Sequence, residues 1–163
     1  MVEAVGDLEA SGPSADSLDD DFRDFFENVS VACHWVDARG IILRANQAEL
    51  ILLGYEHDEY VGHDIREFYA EPEEAAAILG RLADGEVVHE FDAELICKDG
   101  SRRTVAIDSS VMWRHGTFVH TRCVTRDVSY RKAADDLTLL LNAVVESSDD
   151  AIISKDLDGV VRS

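Results

Sequence analysis

Three stretches between residues 87 and 125 predict an antiparallel meander. In residues 87–97, one set of alternate positions is mostly acidic and the other is Val87, His89, Phe91, Ala93, Leu95 and Cys97. This period of two is typical of a half-buried strand. Residues 98–101 contain an Asp-Gly pair, which suits a tight turn because it tolerates positive φ. Residues 103–113 and 117–125 are rich in strand-forming residues, so we expect three consecutive strands with one face to cover.

The preceding part of the chain predicts a hairpin followed by helices. Residues 31–36 and 41–44 are predicted as strands joined by the turn 37–40. Asn46 caps a helix that ends at Gly54. Shorter helical segments are expected at 56–60 and 63–69 and a longer helix at 71–83. This order predicts an α+β domain, with helices on one face of a five-stranded antiparallel sheet.

Two further helices are predicted outside this unit. The first runs through residue 29 and carries an apolar stripe, which packs either on the domain's own sheet or against a second copy: Phe22, Phe25, Phe26 and Val29. The second occupies residues 129–147, with apolar positions separated alternately by four and three residues, as in a coiled-coil seam: Tyr130, Ala134, Leu137, Leu141 and Val144. Two heptads alone are too few to hold a dimer, so packing on its own domain is the alternative.

Composition narrows the class of protein. The chain has 163 residues and a net charge of −19, which disfavours nucleic acid and anionic lipid as partners. Residues 1–18 are acidic and rich in small residues, and we expect a disordered tail. The start of the sequence lacks the features of a signal peptide, and no apolar run reaches the roughly 20 residues of a membrane span, so we expect a cytoplasmic location.

The sequence contains no catalytic motif that we recognise. A phosphate-binding glycine loop, a nucleophile elbow and a His-Glu-x-x-His sequence are all missing, so we expect no enzymatic activity from this chain. The pair His89-Glu90 is similar to the phosphoacceptor pair of histidine kinases. It lies in a predicted strand, whereas those phosphoacceptors lie on exposed helices, so we interpret His89 as an ordinary strand residue. The three cysteines are widely spaced, which indicates free thiols instead of a metal or redox site.

A series of short motifs resembles one known family. The motifs are Asp37-Ala38-Arg39-Gly40, Ala45-Asn46, Leu53-Gly54-Tyr55, Tyr60-Val61-Gly62, Gly85-Glu86, Lys98-Asp99-Gly100-Ser101 and Arg126-Asp127-Val128-Ser129. In this order and spacing they resemble a PAS sensory domain, and the last is similar to the Asp-Ile-Thr signature that ends such domains. The resemblance implies a PAS domain at 19–128 with an N-terminal cap helix, a small internal cavity, and a C-terminal signalling helix at 129–147 that pairs in a dimer.

The same resemblance guides the expectations for ligands. Candidate cavity residues are Trp35, Leu50, Phe68, His89, Phe91, Ile107 and Val119, although such side chains more often form plain core than a ligand site. Helix 71–83 has no histidine where oxygen-sensing relatives bind haem, and residues 46–69 have no cysteine for a flavin adduct. We therefore predict no cofactor and leave a small-molecule ligand open. Haem, with His89 or His120 as its ligand, and flavin are the less favoured alternatives.

An internal repeat predicts the start of a second module. Shifting the sequence by 119 positions places Phe25 on Val144, Asp37 on Asp156 and Gly40 on Gly159. We interpret residues 148–163 as the truncated beginning of a second PAS domain, in a fragment of a longer protein. An extra hairpin added to the first domain is the alternative.

The sequence favours a sensory function. We expect a signal-sensing module that acts through the hinge formed by Arg126, Asp127, Val128 and Ser129 on an output domain of the same polypeptide. Because PAS domains commonly precede histidine kinases, we expect that output to be a histidine kinase of a two-component phosphorelay. A ligand-free dimerisation scaffold is the alternative, and a haem or flavin sensor is the third hypothesis.

Overall fold

The computed structural model describes residues 15–147, 154–155 and 161–162. Within these residues, five strands form one antiparallel sheet in the order β2-β1-β5-β4-β3. The strands are β1 (Ala32–Val36), β2 (Ile42–Ala45), β3 (Val88–Ile96), β4 (Arg102–Arg114) and β5 (Thr117–Asp127). The ladder between β1 and β5 pairs Ala32 with Thr125 and His34 with Cys123. This pairing joins the early hairpin to the later meander in one sheet, as predicted.

Five α-helices surround or leave this sheet: α1 (Ala15–Asn28), α2 (Gln47–Leu53), α3 (His57–Tyr60), α4 (Pro72–Ala83) and α5 (Ser129–Ser147). A 3₁₀ helix covers Ile65–Phe68. The predicted ends of α2 are confirmed, because the Asn46 side chain accepts a hydrogen bond from the Glu49 amide and Gly54 adopts a φ of 79°. The predicted α+β class with a five-stranded antiparallel sheet is therefore confirmed.

The hydrophobic core lies between one face of the sheet and the helices α2 to α4. Tyr60, Phe68 and Leu82 from the helices pack against Leu95 and Ile107 from the strands. Each of these side chains is at least 95% buried, and burying a large apolar side chain contributes about 1.5–3 kcal/mol. The face of the sheet that carries these residues is therefore the inner face.

A β-bulge near the start of β3 contradicts part of the predicted strand pattern. The register with β4 shifts between Val88 and Phe91, and Glu90 has a φ of 45°. The extra residue reverses the alternation, so Val88 is fully buried while Val87 and His89 are exposed. The prediction that Val87 and His89 share the inner face with Phe91 is wrong for this reason.

Helix α1 packs on the opposite, outer face of the sheet. Phe26 is 6% exposed and its ring lies 5.3 Å from that of Trp35, whose neighbours in β1 point into the core. Phe25 is 64% exposed, so the predicted apolar stripe is only partly covered. The helix begins at Ala15, within the stretch expected to be a tail, and the acidic residues of its first turns favour a helix N-terminus.

The C-terminal part of the described chain contains α5 and a separate two-stranded sheet. In that sheet β6 (Ser154–Lys155) pairs with β7 (Val161–Arg162). Residues 1–14 of the predicted tail, and the rest of 148–163, lie outside the described residues. Among the helices that the structure describes, none has the length and apolar character to cross a membrane.

Candidate functional site

A carboxylate occupies the middle of the hydrophobic core. Glu49, on α2, is completely buried, and its Oε1 atom accepts hydrogen bonds from the Tyr60 hydroxyl and the Thr125 hydroxyl, both at 3.2 Å. The Nδ1 atom of His34 lies 3.0 Å from the same oxygen. The Oε2 atom is buried without a hydrogen-bond partner among the described residues. Buried polar groups are normally satisfied, so this arrangement needs a physical explanation.

Local structure explains how Glu49 reaches this position. The alternation of β1 turns His34 inward between Ala32 and Val36. The side chain of Asn46 is itself buried, and its carbonyl oxygen accepts from the backbone amides of Cys33 and Glu49. Asn46 therefore fixes the first turn of α2 against β1, and this contact directs Glu49 toward His34.

A thiol extends the polar cluster along β5. Cys123 is opposite His34 in the β1–β5 ladder, and both side chains are buried on the inner face of the sheet. The Cys123 sulfur lies 2.9 Å from the Ser109 hydroxyl and 3.2 Å from the Thr121 hydroxyl. We refer to His34, Glu49 and Cys123 as the core triad.

The members of the core triad change one another's acidity. Burial lowers the pKa of His34, but the charge of Glu49 and the thiol of Cys123 reverse this effect and raise the pKa well above its ordinary value. Burial raises the pKa of Cys123, whereas His34 and the hydroxyls of Ser109 and Thr121 lower it more. Burial, followed by the charge of Glu49, raises the pKa of Tyr60. The core therefore favours an imidazolium beside a carboxylate and a thiol with increased thiolate character.

A small cavity of about 20 Å³ lies next to the core triad. Its polar lining comes from His34, Thr121 and Cys123, and its apolar lining from Val36, Ile65, Tyr69, Ala75, Ile78, Leu79, Leu82 and Ile107. A single water needs roughly 10–15 Å³ of such space, whereas drug-sized ligands occupy about 300–1,000 Å³. The cavity therefore matches one very small molecule, and it does not fit the ring systems of haem or flavin.

The predicted cavity residues separate into several places. Ile107 lines the cavity, Leu50 and Phe68 belong to the surrounding core, and Phe91 is half-buried against that core. Val119 is half-buried at a bulge, where β5 has one extra residue opposite Met112 and Trp113.

Two of the predicted positions are wrong because they lie on other surfaces. Trp35 faces the outer side, where it stacks on His120 with ring centres 4.1 Å apart. His89 is exposed and lies 3.4 Å from Asp108. Neither histidine considered as a haem ligand, His89 or His120, lines the cavity.

The hinge between β5 and α5 is held by two sets of contacts. Asp127 accepts a hydrogen bond from the Ser129 amide at 2.9 Å and pairs with Arg103 on β4 at 2.6 Å. The Val128 amide donates to the Thr104 carbonyl, and the Thr104 amide donates to the Ser129 hydroxyl. Of the two basic residues considered as partners of Asp127, Arg103 is the one that binds it.

The other hinge arginine has different partners. Arg126 pairs with Glu90 at 3.1 Å and with Asp108 at 2.8 Å, at the β3 bulge. In the first turn of α5, Lys132 pairs with Asp92 on β3 at 2.6 Å. The start of α5 is therefore attached by side chains to β4, the neighbour of β5 in the sheet, and to the edge strand β3.

The residues predicted to form a dimer interface are mostly exposed in the single chain. On α1, Phe22 and Phe25 are at least half exposed, whereas Phe26 is buried. On α5, the exposed apolar residues include Tyr130, Ala134, Leu137, Leu139, Leu140 and Leu141. The backbone of Val144 belongs to α5, but its side chain lies outside the described set.

The core triad was not predicted from the sequence, although signals for two of its members exist. Alternation in β1 places His34 with Ala32 and Val36, and alternation in β5 places Cys123 with the buried Thr121 and Thr125. Glu49 has no such signal. An acidic residue three positions after a cap is normally interpreted as a solvent-exposed part of a helix N-terminus.

The described fold is one that occurs in several solved structures. A PAS domain of an HTR-like protein from Haloarcula marismortui is 24% identical, with a TM-score of 0.61 over 69% of this chain and 93% of that one. A domain of a sensory box sensor histidine kinase/response regulator from Geobacter sulfurreducens is 23% identical, with a TM-score of 0.60 over 70% and 97%. An RNA-binding Light-Oxygen-Voltage receptor is 22% identical, with a TM-score of 0.71 over 87% of this chain but 42% of that one.

These likenesses define the class of fold, an α+β domain whose sheet is covered by short helices. The family model described as "PAS domain" matches residues 28–129. The chain therefore belongs to the PAS domain family. No curated protein matches the sequence.

Proposed function

We propose that this PAS domain senses a signal in its core and transmits it through α5 to an output domain of the same polypeptide. The observation that carries the proposal is the short path from the core triad to the hinge. Glu49 accepts a hydrogen bond from Thr125, and Thr125 is two residues before Asp127, which holds the first turn of α5. A change in the charge or position of Glu49 would therefore act on β5 directly before the helix begins.

Hydrogen exchange on the whole chain tests this transmission. Glu49→Gln removes the buried charge and retains the size of the side chain, and we expect faster exchange of the Lys132 amide, which bonds the Val128 carbonyl. Glu59→Gln is the matched control, because it removes the same charge at an exposed ion pair with Lys98. Equal exchange in the first turn of α5 for both variants would refute the proposed coupling.

We propose a histidine kinase as the output, with the chain itself acting as a cytoplasmic, non-catalytic module. Support comes from the fold neighbour that is part of a sensor histidine kinase/response regulator. Expression of the complete coding sequence, followed by an autophosphorylation assay with ATP, tests the proposed output. If the whole protein does not become phosphorylated, the histidine kinase output is refuted. The dimerisation scaffold described below would then remain as the function.

A second module is also part of the proposal. The repeat aligns Val36 and Ile42 with Lys155 and Val161, and both pairs are cross-strand partners, the first between β1 and β2 and the second between β6 and β7. The same shift aligns the end of α5 with α1. Equal register supports the hypothesis that residues 148–163 begin a second PAS domain.

The alternative is a dimerisation scaffold that needs no ligand. Exposed apolar side chains on α1 and α5 favour it, since a large exposed apolar surface marks interaction sites. Sedimentation of the chain and of a Phe25→Ala, Leu137→Ala double variant tests this function. We expect the variant to dissociate at concentrations where the natural chain is a dimer, and a natural chain that stays monomeric would refute it.

A further inference from the structure

We propose that Cys123 is an oxidant-reactive thiol, and that its substrate is a small neutral hydroperoxide of the size of hydrogen peroxide. The inference deepens the proposed function by naming the class of signal. Only the transmission of that signal to α5 rests on the proposed function; the oxidation of Cys123 does not. It stands on the geometry of the core triad and its cavity.

The first observation is the arrangement of a nucleophile, a base and an orienting group. The Cys123 thiol and the His34 imidazole face each other across the β1–β5 ladder and line one cavity, and the imidazole is 3.0 Å from the Glu49 carboxylate. Nucleophilic thiols are activated by such a pairing, with a third group that holds the base in place. Only the thiolate form reacts quickly with oxidants. An ordinary buried cysteine is inert, but this one lies opposite His34, whose pKa is raised by Glu49.

The second observation is the space beside the sulfur. The cavity of about 20 Å³ touches Cys123, His34 and Thr121, and the rest of its wall is apolar. Its volume matches a molecule of one or two non-hydrogen atoms. Hydrogen peroxide meets this limit and can bond to the hydroxyl of Thr121, whereas organic hydroperoxides and bulky electrophiles do not fit.

The reaction balances with the groups present. The thiolate sulfur of Cys123 attacks one oxygen of hydrogen peroxide, so an S–O bond forms and the O–O bond breaks. The proton of the His34 imidazolium goes to the departing hydroxide, which leaves as water. Sulfur is oxidised by two electrons to the sulfenic acid and the peroxide is reduced. Cys33 is beside His34 in β1 and so faces the opposite side of the sheet, which leaves no thiol next to Cys123 for a disulfide.

The product changes the electrostatics of the core. Oxidation leaves His34 neutral, so the buried Glu49 carboxylate loses its counter-ion. An unpaired buried carboxylate is strongly unfavourable, so Glu49 rearranges its contacts. The rearrangement alters its hydrogen bond with Thr125, the residue that leads to the hinge.

Mass mapping of the whole chain tests the inference. The protein is treated with hydrogen peroxide in the presence of dimedone, which traps sulfenic acids, and the labelled cysteine is identified by peptide masses. We expect Cys123 to label at least about tenfold faster than the buried Cys97 at pH 7, because Cys97 does not line the cavity beside His34. We also expect the rate to rise less steeply with pH between pH 6 and 8 than that of an ordinary thiol, because the pKa of Cys123 is lowered. Preferential labelling of Cys97 or Cys33 would overturn the proposal.

Variants and a second oxidant distinguish two reasons for fast labelling of Cys123: activation of its thiol by the core triad, and easy access of the oxidant to it. In Glu49→Gln the Cys123 rate should fall about tenfold at pH 7 and rise with pH as for an ordinary thiol. A loosened core would change the rate without introducing this pH dependence, and that result would count against the core triad. Cys33→Ser is the matched control and should leave the rate unchanged. tert-Butyl hydroperoxide should label Cys123 far more slowly than hydrogen peroxide, and equal rates would overturn the size limit.

The chemical and signalling steps have separate readouts. Labelling of Cys123 without any change in α5 exchange would support the thiol reaction and refute the proposed transmission. Slow labelling of Cys123, together with altered α5 exchange in Glu49→Gln, would refute the thiol reaction and leave the transmission supported.

Discussion

Replacement of Glu49 by Gln should reveal a buried ion pair through the pH dependence of stability. The substitution retains an oxygen acceptor for Tyr60 and Thr125 and removes the negative charge next to His34. Loss of one partner from a buried pair destabilises proteins by about 3–5 kcal/mol when the other charge stays buried. Because His34 can release its proton, we expect the lower end of this range.

The sign of the pH effect follows from the direction of each shift. The folded pKa of His34 is raised, so its contribution to stability is complete below about pH 6.5 and is lost as pH rises through the folded pKa. Within that window one bound proton corresponds to about 1.4 kcal/mol per pH unit. The folded pKa of Cys123 is lowered, so its contribution is present above the ordinary thiol value and is lost as pH falls. The two slopes oppose each other.

The assay therefore uses a Cys123→Ser background. The titratable groups that then face His34 are Glu49 on α2 and Tyr60 on α3. Urea unfolding is measured from pH 6.5 upward for Cys123→Ser with and without Glu49→Gln. We expect the stability difference between the two proteins to shrink by about 1.4 kcal/mol per pH unit. A difference that does not change with pH would refute the interpretation of Glu49 and His34 as an ion pair.

Three further predictions concern the hinge, a turn and the outer face. Asp127→Ala should destabilise the chain by about 1 kcal/mol, because it removes the carboxylate that accepts from the Ser129 amide and pairs with Arg103, and Arg126→Ala should leave the circular dichroism of α5 unchanged. His115 has a φ of 51° in a two-residue hairpin turn, so His115→Asn should stabilise the chain by about 0.5–1 kcal/mol in urea unfolding, and a destabilised variant would contradict this. Phe26→Ala should cost about 3–5 kcal/mol at low protein concentration, whereas Phe25→Ala should be nearly neutral; equal losses would contradict the packing of α1.

Local patterns predicted the elements of the fold well. The Asn46 cap and the Gly54 stop of α2 were predicted from residue type, because each supplies a local backbone requirement that few residues can meet. The alternation in residues 91–97 predicted the inner face of β3 correctly. It failed only before the bulge at Glu90, since one inserted residue reverses every preceding side chain.

The candidate site was much less predictable. Its polar members are separated by up to 89 residues along the chain, from His34 to Cys123, and each has an ordinary alternative role in its own element. Trp35 was expected in the cavity because it is large and apolar, but strand alternation places it under α1. The size and hydropathy of a side chain do not reveal whether it packs on the inner or the outer face of the sheet when helices cover both faces.

The sequence by itself determined the helices, the strands, the turns and the acidic surface, because these depend on contacts between residues that are close along the chain. Only the tertiary structure decided that β1 lies beside β5, and this single pairing brings His34 opposite Cys123 and under Glu49. The physical reason is that the properties of a buried charge depend on its neighbours in space. Burial alone would neutralise His34, and the carboxylate contributed by α2 reverses that tendency.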